Sequence, residues 1–84
     1  MSLYAHVTDK NLRAILEAEV LEFTPNEMKE AVEYSRLATA NDADDMRLSE
    51  ATYWRRLSCI HRAEKALAGG TLLEVQKALQ ALWG

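Results

Sequence analysis

An all-α fold, a small bundle of about four helices with a long third helix, is predicted by three features of this 84-residue sequence. One proline and three glycines leave little punctuation, which favours long helices joined by short turns. Two capping-box signatures, Thr24-Pro25-Asn26-Glu27 and Thr71-Leu72-Leu73-Glu74, mark helix starts. Apolar residues recur at helical spacing, most plainly Leu72, Val75, Leu79 and Leu82. Residues 1–84 read as one helical domain, and a chain this short buries only roughly 60% of its unfolded surface. Its marginal core invites self-association, so a homodimer is one expectation.

The first helix is expected to open with Thr8 as N-cap, stapled by Val7 and Leu12. It should run through Leu12, Ile15, Leu16 and Val20 to end near Phe23. The second starts at Pro25, whose missing N–H is harmless at the first helical position, and runs to about Ala40. Met28, Ala31, Val32, Tyr34, Ser35 and Ala38 share its broad inner face, which leaves Leu37 unexplained. Asn41-Asp42-Ala43-Asp44-Asp45 reads as a turn that becomes a helix start, with acids against the positive end of the dipole. A long third helix should follow to about Ala68, with Met46, Tyr53, Ile60 and Leu67 at seven-residue intervals. Gly69-Gly70 stops it, and the last helix ends at Trp83, whose ring is expected to pack onto its neighbours.

Cys59 is the one cysteine, so no internal disulfide forms, and an unpaired thiol suits a reducing compartment. The leading residues resemble no signal peptide, and no apolar run reaches about 18 residues. A cytoplasmic location is the expectation.

The net charge of −3 argues against a general nucleic-acid binder, but its distribution is uneven. Residues 1–41 hold seven acids and four bases, and residues 42–52 four acids and only Arg47. Residues 53–66 reverse this, with Arg55, Arg56, Arg62 and Lys65 against Glu64. Drawn on one helix, Arg47, Arg55, Arg62 and Lys65 fall within about 80° of one another. Trp54 borders that stripe, and an aromatic beside cations suits contact with an acidic partner. Arg47, Trp54, Arg55, Arg62 and Lys65 are therefore the candidate partner-binding residues. The plainer reading is an ordinary solvated face with Trp54 completing the core.

Catalytic, cofactor and metal sites are not expected. Glu50 and Glu64 interrupt the apolar face of the third helix, but fourteen residues put them about 21 Å apart along it. Exposure, or pairing with Arg or His of a second subunit, accounts for them better than catalysis. Asp42, Asp44 and Asp45 lack the glycine and terminal glutamate of a calcium loop, and one His61-x-x-Glu64 is short of a di-metal set. Cys59 and His61 lie about 200° apart around their helix, so they form no nucleophile–base pair. Gly69-Gly70 is a helix stop rather than a phosphate loop.

The favoured function is thus a non-enzymatic protein-binding module, a small adaptor, inhibitor or regulator that binds through the third helix. A short chain without catalytic signature has the character of a phage or mobile-element accessory protein. The alternative is a nucleic-acid-binding transcriptional regulator laying Tyr53–Lys65 against phosphates, which the acidic total and the lack of a helix-turn-helix disfavour.

Overall fold

The computed structural model of the chain describes residues 3–19 and 22–84. Among these residues there are four helices and no strand: α1 (Lys10–Glu17), α2 (Pro25–Asp44), α3 (Glu50–Gly69) and α4 (Leu72–Trp83). None is long and apolar enough to cross a membrane. One apolar cluster draws Leu12, Leu16, Met28, Val32, Ile60, Val75, Leu79 and Leu82 from all four helices, together with Tyr4 and Val7 of the leader.

The caps explain most of the boundaries. Thr24 and Thr71 each accept from the backbone N–H three residues on, and Glu27 and Glu74 answer by accepting from the cap N–H, completing both capping boxes. At α1 the cap is Asp9 rather than Thr8, with Oδ1 accepting the Leu12 N–H at 2.8 Å. Aspartate is the stronger capping side chain, and the start moves by one residue.

Two other expected boundaries are wrong. Helix α1 stops at Glu17 instead of near Phe23, and Val20 lies outside the described residues. Its end is set from a distance. The Gln76 side-chain amide, on α4, donates to the Ile15 and Ala18 carbonyls at 2.8 and 2.6 Å, and Gln80 donates to the Leu16 carbonyl at 3.0 Å. These are carbonyls that a helix leaves unpaired at its C-terminus. Gln76 is only 5% exposed, so no water competes for the bonds.

Helix α2 continues through the acidic run to Asp44 instead of ending near Ala40. The Arg47 N–H then bonds the Asp42 carbonyl at 2.9 Å and the Met46 N–H the Ala43 carbonyl at 3.1 Å, a Schellman ending. Met46 occupies its left-handed position with φ 57°. Ser49 supplies the real cap of α3, which is consequently no longer than α2. The inner face of α3 keeps part of the expected seven-residue series, since Ile60 is buried and Leu67 packs against the core, but it also takes in small residues outside that series. Cys59, Ile60, Ala63 and Ala66 are buried, whereas Met46 precedes the helix and is 91% exposed.

Replacing Gln76 by Leu should cost about 2–3 kcal/mol in urea unfolding, because it strands two carbonyls at the end of α1. Hydrogen exchange should quicken first in α1. Met46→Gly should act oppositely, raising stability by about 0.5–1 kcal/mol, since glycine takes a positive φ without strain and the exposed side chain packs on nothing.

Candidate functional site

Helix α3 turns three small residues inward beside Ile60, and its largest residue outward. With Cys59, Ala63 and Ala66 against the core, the opposite side carries Trp54, Ser58, His61 and Lys65 in one row, flanked by Arg62. Trp54 is 60% exposed, and so stands in the middle of the solvent face rather than at the border of the core. Its ring is steadied by half-buried Tyr53, edge-on at 5.5 Å between centroids and 66° between planes.

The expected basic stripe divides into parts. Arg55 sits at the edge of the face, where its Nη1 donates to the Ala81 carbonyl at 2.6 Å and ties α3 to the end of α4. Arg62 and Lys65 are exposed on α3, as expected. Arg47 is not on that helix: it lies in the α2–α3 connection, 3.6 Å from Asp45, with both side chains more than half exposed. The error follows from starting α3 within the acidic run rather than at its cap, Ser49. Lys77, which sequence reasoning did not single out, lines one groove of about 500 Å³ with Arg62 and Lys65. Only the fold brings α4 beside the end of α3.

Arg56 has a different task. Half-buried, it donates from Nη1 to Asp42 Oδ2 at 3.2 Å and lies over the Trp83 ring, 5.4 Å from its centroid. Trp83 in turn donates from Nε1 to Ser35 Oγ at 2.9 Å, and Ser35 donates to the Ala31 carbonyl at 2.8 Å. His6 Nε2 donates to the Trp83 carbonyl at 2.9 Å, and Tyr34 inclines against the indole at 6.3 Å. Trp83 is a structural anchor, and Trp54 is the free tryptophan.

The remaining polar residues do not converge on chemistry. Glu64 pairs with Arg36 of α2, within the chain instead of across a subunit boundary, and Glu50 is exposed in the first turn of α3. Cys59 is buried while His61 is exposed, so they face apart. Among the described residues no three His, Cys, Asp or Glu side chains gather as metal ligands would. A second groove of about 320 Å³ lies between α1 and α2, lined by Phe23 and Tyr34 with Asp9, Glu27 and Glu30. Two of its three carboxylates, Asp9 and Glu27, are already occupied as helix caps.

No family model, curated protein or solved structure matches this chain.

The two tryptophans should respond oppositely to truncation. Trp54→Ala is expected to change the unfolding free energy by less than about 0.5 kcal/mol, and Trp83→Ala to cost about 3 kcal/mol, both read from denaturant midpoints.

Proposed function

We propose that this chain is a non-enzymatic protein-binding module, an adaptor, inhibitor or regulator, that captures an acidic surface of another protein through the outer face of α3. The observation that carries the reading is Trp54, a large aromatic side chain 60% exposed on a regular helix and braced by Tyr53. Folding gains little from an indole in that position, whereas a partner that covered it would bury a side chain of the kind that dominates interface energetics. Arg62 and Lys65 stand on the same face, Arg55 is held at its edge by Ala81, and Arg47 flanks it from the α2–α3 connection. Such a rim of positive charge steers an acidic partner and fixes its orientation more than it adds affinity. No catalytic step is required.

Affinity capture from a lysate of the source cells, with and without nuclease, tests the proposal when wild type is compared with Trp54→Ala and Arg62→Glu. A stoichiometric protein should persist after nuclease, with Trp54→Ala weakening its capture by more than about tenfold. Arg62→Glu should slow capture and make it less sensitive to salt. Recovery of nucleic acid alone, or capture that ignores Trp54→Ala, would contradict the proposal.

A further inference from the structure

We propose that the groove beside the α3–α4 turn is a binding site for a phosphate-class dianion carried by a small molecule. Arg62, Lys65 and Lys77 hold the charge, and the backbone at Gly69 is left bare so that the anion approaches closely. The inference does not require the partner reading above: the two share Arg62 and Lys65, but Lys77 and Gly69 belong to this site alone.

Three observations support the site. Arg62 and Lys65 come from α3 and Lys77 from α4, yet all three line one groove, and among the described residues none has an ion-pair partner. What sets them apart from the other cations without a salt bridge is that they gather on one concavity. Like charges gathered around one concavity repel one another unless an anion joins them. The groove's single carboxylate, Glu74, opposes an anion, but its Oε1 is engaged by the Thr71 N–H at 3.2 Å and hydroxyl at 3.1 Å. Three cations against this one acid leave a charge of +2, which a dianion matches.

The second observation is Gly69. It ends α3 without a positive φ, and a Cβ built on it would meet nothing within 4 Å. Neither the turn nor the packing requires glycine there, although alanine favours a helix by up to about 1 kcal/mol. Its neighbour is different, because a Cβ at Gly70 would come within 3.0 Å of Ala66 Cα. A glycine that the fold does not require, in the wall of a cationic groove, keeps the backbone open to a ligand.

The third is the nature of the lining. A volume of about 500 Å³ lies within the range of small-molecule sites. No aromatic residue lines it, so nothing stacks a base, and a chain of net charge −3 repels a long polyanion beyond the groove. Arginine and lysine together suit phosphate oxygens, the one by paired N–H donors and the other as a point charge.

Amide NMR titration of the full chain with inorganic phosphate and pyrophosphate at constant ionic strength tests the site. Saturable shifts are expected, confined to residues 62–77, with Lys77→Gln weakening pyrophosphate binding about tenfold. Gly69→Ala should weaken it at least about threefold while leaving the thermal midpoint unchanged or higher. Trp54→Ala should bind as wild type. Linear shifts no larger than those produced by chloride would overturn the proposal, as would full binding by both Lys77→Gln and Gly69→Ala. A single-stranded oligonucleotide that binds more tightly than pyrophosphate, with shifts extending along α3 to Trp54, would replace it with a nucleic-acid surface.

Discussion

The bonds from Gln76 and Gln80 to the last carbonyls of α1 are the constraint on which the rest of the arrangement depends. An eight-residue helix is too short to persist alone in water, so α1 exists because α4 completes its end. In return α1 lays Leu12, Ile15 and Leu16 over the apolar side of α4, where Val75, Leu79 and Leu82 are fully buried. At its far end the same helix presents the Trp83 indole to Ser35 and Arg56 and the Trp83 carbonyl to the His6 side chain, so that the N-terminal segment, α2 and α3 meet on one residue. Helix α4 is thus the shared support, fixed at one end by amide–carbonyl bonds and at the other by an aromatic ring.

This division leaves α3 with an unusual surface. Its inner side is Cys59, Ile60, Ala63 and Ala66, and the three small residues bury little area each and allow close approach. Its outer side carries Trp54, whose area is wasted on folding. In a domain that buries a modest fraction of its surface, an apolar side chain left outside favours association, and the surrounding charge determines the kind of partner. Leu37, 57% exposed on the outer side of α2 near Glu30 and Glu33, is the corresponding apolar position on an acidic face.

Features encoded within four residues were legible in the sequence. Both capping boxes, the proline start of α2 and the apolar side of α4 stand where local chemistry places them. Features encoded at a distance were not. The end of α1 is written in Gln76 and Gln80, some sixty positions away, and nothing in Glu17-Ala18-Glu19 announces it. The end of α2 was hidden by its own composition, since Asn41-Asp42-Ala43-Asp44 resembles a cap yet continues as helix, and the left-handed residue is a methionine where glycine is usual. That single shift carried Arg47 onto α3 in the sequence reading. Lys77 could have been found only by pairing the ends of α3 and α4 across Gly69-Gly70, because its own helix shows it as an ordinary exposed lysine.

The division of labour between the two tryptophans is the central claim, and acrylamide quenching of single-tryptophan proteins made by Trp83→Phe and Trp54→Phe tests it most directly. Trp54 alone should emit like a solvated indole and be quenched several-fold more efficiently than Trp83 alone, which is sheltered by Arg56, Tyr34 and Ser35. A blue-shifted, protected Trp54 in the free protein would mean that the outer face of α3 is already covered, and would contradict its role as an open surface for a partner.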